Sequence, residues 1–136
     1  MSLDVPIMSR LDAALNPMGE TNITQISPVE FVWDDDLYAG LAVGLSVSTV
    51  ERSWGGGTTF YDGVLTIDIA SKSPVDVRAV GDKVRASLQN FGGPLDSGRF
   101  HVTTMLLLPE RFEIDQERNL ALVNQQYDVE WAETGA

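Results

Sequence analysis

The sequence predicts an α+β fold: a four-stranded, mainly antiparallel sheet with one main helix packed on a face, in the order α-β-β-α-β-β. Three observations carry this reading. Residues 40–70 hold two long runs of alternating apolar and small or polar side chains, parted by Trp54-Gly55-Gly56-Gly57. Residues 73–91 change to a spacing of three and four. Residues 99–131 return to alternation in two further runs. Alternation marks strands and the longer period marks a helix, and one helix laid on a sheet is the economical packing.

In chain order, residues 4–18 hold a short helix in which Ile7, Leu11, Ala14 and Leu15 share a stripe. Asn16-Pro17 and Gly19 stop it. Residues 20–36, with Pro28 and the run Asp34-Asp35-Asp36, read as a loop with room for short strands. Residues 40–53 form the first long strand, with Leu41, Val43, Leu45 and Val47 on one face and Ala42, Gly44, Ser46 and Ser48 on the other. Residues 59–70 form the second, with Leu65, Ile67 and Ile69 on one face. The glycine-rich turn between them suggests a long antiparallel hairpin.

The sharpest local signal follows. Ser73 can cap a helix, Pro74 suits its first position and Asp76 its third. Val77, Val80, Val84, Leu88 and Phe91 then form the apolar stripe, and Gly92-Gly93-Pro94 closes the helix. Residues 99–108 are a third strand, with Phe100, Val102, Leu106 and Leu108 on one face. Pro109 to Asn119 is a polar turn. Residues 120–131 are the fourth strand, with Ala121, Val123, Tyr127, Val129 and Trp131 on one face, and a tail follows from Glu133. The second and third strands are joined through the helix, so they need not be neighbours. The whole reads as one domain, 1–136, with a helix and irregular segment over 1–39 and the α+β core over 40–131.

Composition narrows the function. A chain of 136 residues can bury about two-thirds of its unfolded surface in one domain. With 43% hydrophobic and 21% charged residues it is neither disordered nor membrane-spanning. Its longest apolar runs, such as Met105 to Leu108, are four residues, against the ~20 a spanning helix needs. The first ten residues lack the basic and apolar regions of a signal peptide. There is no cysteine, which excludes disulfides and thiolate chemistry and fits an intracellular protein. The net charge of −11 argues against general nucleic-acid binding. It suits a surface along which DNA slides without sticking.

No set of side chains announces catalysis, and no catalytic, cofactor or metal residue is assigned. His101 is the one histidine and lies on the strand face opposite Phe100 and Val102, a surface position rather than a general base. Asp34-Asp35-Asp36 has oxygen ligands but not the calcium-loop pattern, so it reads as a solvated acidic loop. Gly55-Gly56-Gly57 precedes a strand and no lysine follows, so it is a hairpin loop rather than a phosphate cradle. Trp131 falls on a core face. Trp33 and Trp54 either cover the ends of the core or anchor a protein interface. Candidate interface residues are therefore Trp33, Trp54, Gly55, Gly56 and Gly57.

The segment ERSWGGGTTFYDGVLTIDIASKSPVDVRAVGDKVRASLQNF resembles the tail terminator, or tail completion, proteins of long-tailed bacteriophages. Tyr61 to Ser71 matches their strand, Val77 to Leu88 with Val84-Arg85-Ala86 matches their helix, and Phe100 to Trp131 fits their closing strand pair. The resemblance covers residues 40–131 and rests on apolar patterning. It implies a structural role in the virion, at the tail or neck, after assembly in the host cytoplasm. The expected partners are further copies of the chain in a ring, typically a hexamer, the tail tube protein and the head–tail connector, with DNA passing through the lumen unbound. A neck or head–tail adaptor is the neighbouring alternative. A small α+β enzyme or ligand-binding domain is the distant one, and it would require a cavity joining His101 to carboxylates.

Overall fold

A computed structural model describes residues 2–28, 37–52 and 57–134. The expectation of a four-stranded sheet with one main helix is overturned. Seven strands form one mixed, curled sheet, a half-barrel, and two helices cover its inner face. The elements are α1 (Asp4–Leu15), β1 (Thr24–Ser27), β2 (Ala39–Arg52), β3 (Thr58–Ser71), α2 (Pro74–Leu88), β4 (Gly93–Leu95), β5 (Phe100–Leu107), β6 (Arg111–Asp115) and β7 (Leu120–Thr134). The sheet order is β1-β2-β3-β7-β5-β4, and β6 also pairs with β7.

The four expected strands correspond to β2, β3, β5 and β7, the long members of the sheet. The three others have physical reasons for being silent in the sequence. Strands β1 and β4 span four and three residues, too few for alternation to register against a random polar loop. Strand β6 reads Arg-Phe-Glu-Ile-Asp and is largely exposed, so its charges mimic a turn. Each gains its order from a longer neighbour rather than from its own letters. Strand β1 pairs with β2 in parallel, the sheet's one parallel pair among the described residues.

The first helix is also more than a peripheral piece. Pro6, Ile7, Leu11 and Leu15 are buried on α1, and the last three share one core with Val77, Val80, Val84 and Leu88 of α2. The end of α1 is tied to the sheet by one side chain. Asn16 accepts from the Thr24 amide at 2.7 Å and donates to the Thr24 carbonyl at 2.8 Å. That pair replaces a backbone ladder rung and positions the start of β1. Helix α2 begins as its sequence predicts: the Ser73 hydroxyl accepts from the Asp76 amide at 3.4 Å, with Pro74 in the first turn. It stops earlier than Gly92, at Gln89, where Asn90 turns to φ 61° and its amide donates to the Met105 carbonyl at 2.9 Å.

Strand β7 lies between β3 and β5, and it pairs with β3 from Thr58↔Thr134 to Ser71↔Ala121. Two bulges flank this central pair. Ser48 is the extra residue of β2, between Val47↔Gly63 and Thr49↔Asp62. Thr103 is the extra residue of β5, between Val102↔Trp131 and Thr104↔Glu130. Gly63 pairs with Val129 and Asp62 with Glu130, so both bulges fall at one level of the sheet. Bulges add bend and twist, and two in register across four strands place a crease there.

The crease corrects two inward faces. In β5, Met105 and not Leu106 continues inward after Val102, and Leu106 is left exposed. In β2, alternation restarts after Ser48, and Val50 falls opposite Tyr61, on the helix side. At the crease β2 and β3 approach so closely that a methyl group on Gly63 would collide with the Ser46 carbonyl oxygen and stand 3.2 Å from the Val47 Cα. Only glycine fits.

One polar network crosses the core. Tyr127, fully buried, donates to Gln125 Oε1 at 2.6 Å. Gln125 Nε2 donates to the Gly81 carbonyl at 3.0 Å and to Glu110 Oε2 at 2.8 Å. Arg85 Nη2 completes the chain on Glu110 Oε2 at 2.7 Å. The network joins β7, α2 and the β5–β6 connection, and Gly81 gives the amide of Gln125 its space, since a methyl there would stand 3.4 Å from Nε2. Burial pushes the Tyr127 hydroxyl well above the usual tyrosine range.

Two outcomes follow for stability. Gly63→Ala should cost about 2 kcal/mol or more, because the clash is with backbone that cannot rotate away. Gly44→Ala on the paired strand, with open space at its Cβ, should cost less than about 1 kcal/mol or stabilise. Urea midpoints of the two variants measure this directly. The raised Tyr127 pKa has a definite sign: the native state holds the proton more tightly, so its contribution is whole below the unfolded value of 10.0 and declines as pH rises past it. Urea melts at pH about 8 and about 10.5 should show a loss in the wild type, and Tyr127→Phe should flatten that dependence.

Candidate interaction surfaces

The two faces of the sheet differ because residues alternate across it. Odd-numbered positions of β3 and β7 point to the helices: Leu65, Ile67 and Ile69 pack with Val123, Tyr127 and Val129. Even-numbered positions form the open face. There Asp62 stands opposite Glu130, Asp68 opposite Asn124 and Val64 opposite Asp128. Glu51 and Glu113 lie on the same face by their registers with Phe60 and Leu122. All six carboxylates are exposed. Asn124 Nδ2 donates to Asp68 Oδ1 at 2.6 Å. Among the described strand residues of this face, Arg111 is the one cation. A depression of about 490 Å³ on this face is lined by Asp68, Asn124, Gln126, Arg111 and Glu113.

The two helices balance four acids, Asp4, Asp12, Asp76 and Asp82, with four bases, Arg10, Arg78, Lys83 and Arg85. Arg10 donates to the Ser87 carbonyl at 2.9 Å and lies 4.0 Å from the Phe91 ring centre. Arg78 lies 4.4 Å from the centre of Phe112, fixing β6 against α2. Arg85 bridges Asp82 and Glu110 at 3.0 and 2.7 Å. Between α1 and α2 runs a groove of about 950 Å³, bordered by Val5, Pro6, Arg10, Ala14, Lys83 and Ala86.

Beyond the crease the β2–β3 pair continues alongside β7, with apolar side chains near its β2 edge left half exposed. Val47 and Val50 are 45% and 54% exposed on the helix side, and Phe60 is 50% exposed on the open face. Tyr61 stacks on Trp131 at 5.1 Å between them. The sequence hinted at this only by the break in alternation around Ser48, which ordinary pattern reading absorbs as noise.

Trp33, Trp54, Gly55 and Gly56 lie outside the described residues, as does Asp34-Asp35-Asp36. Gly57 is exposed just ahead of β3, and the β2–β3 register runs out to Arg52↔Thr59. Trp131 is 3% exposed and belongs to the core. His101 is exposed on the open face, paired across the ladders with Pro94 and Ala132, and it borders neither the depression nor the groove. No carboxylate is placed opposite it. Among the described residues no three His, Asp or Glu side chains stand together as metal ligands, and no helix is long and apolar enough to cross a membrane.

No established family model and no curated protein sequence matches this chain. A solved structure does share the fold: a chain in the virion of a native gene transfer agent particle. It superposes with a TM-score of 0.59 over 95% of this chain and 95% of its own, at 12% sequence identity.

Proposed function

We propose that this chain is a virion structural protein of the tail-terminator type. Copies of it form a ring, a hexamer by family resemblance, that caps the head-proximal end of the tail tube and offers a surface to the head–tail connector. DNA passes through the ring without specific binding. The observation that carries the reading is the fold shared, end to end, with a chain of a gene transfer agent virion. The strand and helix patterning of residues 40–131 supports the finer assignment.

The charge distribution suits the role. An open sheet face whose described strand residues include six exposed carboxylates, with Arg111 and Arg118 at its depression, has an acidic excess that repels a duplex. Turned toward the lumen, it would let DNA through without the phosphate contacts that hold nucleic-acid binders. The role is mechanical rather than catalytic: binding, stopping polymerisation and presenting a surface.

Deleting the gene tests the assignment. Without the protein, tail tubes should grow beyond their normal length, as measured in electron micrographs of lysates. Tubes of normal length beside filled, unjoined heads would contradict it and would favour a neck adaptor.

A further inference from the structure

We infer that successive copies join edge to edge: the open edge of β2 in one copy pairs, antiparallel, with the open edge of β6 in the next. The inference names the contact that builds the proposed ring, and it rests on that reading.

The sheet ends in two unlike edges. On one side β1 covers β2 only from Ala39 to Ala42, and beyond that no described strand pairs with the edge. Residues 46–51 are exposed. So is Gly44, which has no side chain to present and therefore shows its backbone. From Gly44 to Val50 the strand has neither charge nor proline, the usual guards of an unpaired edge, and only the Ser48 bulge interrupts it. On the other side β6 pairs with β7 alone among the described strands, and Arg111 to Ile114 are exposed.

The two edges match face by face. Val47 and Val50 lie on the helix side of β2, about half exposed. Phe112 and Ile114 lie on the helix side of β6, opposite Val123 and Ala121, and are 39% and 55% exposed. Joining the edges gathers these four side chains into one apolar strip. On the open side β2 brings Glu51 with uncharged Ser46 and Thr49, and β6 brings Arg111 and Glu113. Asp115 is already held by Arg118 at 2.7 Å. A β6–β6 joint would turn Glu113 toward its own copy, and a β2–β2 joint would leave Phe112 and Ile114 bare.

Strand sense agrees. Each neighbouring pair from β2 through β3 and β7 to β6 is antiparallel, so β6 runs opposite to β2. Rotation about a ring axis preserves strand sense and keeps the same face inward, so the unlike edges meet antiparallel. The open part of β2 is level with the far half of β7, whereas β6 pairs near its start, at Leu120 to Asn124. The strands therefore cross the ring obliquely, as they do in closed barrels. An edge joint covers no carboxylate of the open face, and it carries that face unbroken from copy to copy.

Two variants test the joint, each spoiling one edge with exposed lysine: Val47→Lys with Val50→Lys on β2, and Ile114→Lys on β6. Each should weaken self-association about tenfold or more, the scale of a lost interface anchor. Mixed together, they should form a one-to-one dimer by sedimentation velocity, because one sound β2 edge and one sound β6 edge remain. Urea midpoints identify a variant that fails to fold, and Ser46→Lys then replaces the β2 pair. An Ile114→Lys protein that dimerises by itself would overturn the proposal in favour of a β2–β2 joint. A mixture that stays monomeric, or concentrated wild-type protein that does, would overturn it too. Variants that assemble as well as the wild type refute this joint and leave the ring standing. Normal tube length after gene deletion refutes the terminator role and leaves the joint standing.

Discussion

The close approach of β2 to β3 at Gly63 is the constraint on which the rest of the molecule depends. The backbone of Ser46 and Val47 occupies the space that a side chain at position 63 would need. That approach coincides with the bulges at Ser48 and Thr103, which crease the sheet across four strands. On one side of the crease the sheet is floored by two helices and sealed with a core that includes Leu65, Ile67, Tyr127 and Val129. On the other Phe100, Val102 and Trp131 stay in the core, while Val50 and Phe60 toward the β2 edge are half exposed. Without the crease the strands would keep one alternation throughout, and Val50 would lie on the open face instead of the helix side.

The long elements were legible in the sequence and the short ones were not. Helix α2 was readable because its cap, its proline and its apolar stripe agree, and local agreement of that kind marks a well-specified element. Strands β3 and β7 were readable because neither contains a bulge, so alternation runs unbroken from Gly63 to Ile69 and from Ala121 to Trp131. Strand β5 was found but misfaced, since Thr103 shifts its register by one and such a slip exchanges its two faces. Strands β1, β4 and β6 depend on neighbours that no local pattern reveals. Helix α1 was placed correctly, yet its weight in the core was missed, because a short stripe of Ile7, Leu11 and Leu15 does not say what it packs against. The candidate surface was the least legible part. Val47, Val50 and Phe60 look like ordinary strand residues until the crease leaves them uncovered, whereas the tryptophans that drew notice divide between the core, for Trp131, and segments outside the described residues.

Charge is distributed unevenly over the fold. Carboxylates collect on the open sheet face, whereas acids and bases balance on the two helices. The acidic face suits the DNA passage proposed above, because like charge lowers adhesion. The Tyr127–Gln125–Glu110–Arg85 network adds stiffness where it is useful. It locks α2 to β7 and to the β5–β6 connection, so a load on the helical layer is carried into the sheet rather than absorbed by side-chain motion.

The central claim is one of position: the protein sits where the tail tube meets the head. Electron microscopy of intact particles, with the protein marked by a gold-conjugated antibody fragment, measures that position directly. The account predicts label confined to the head-proximal end of the tail. Label along the tube, at the distal tip or over the capsid surface would contradict it.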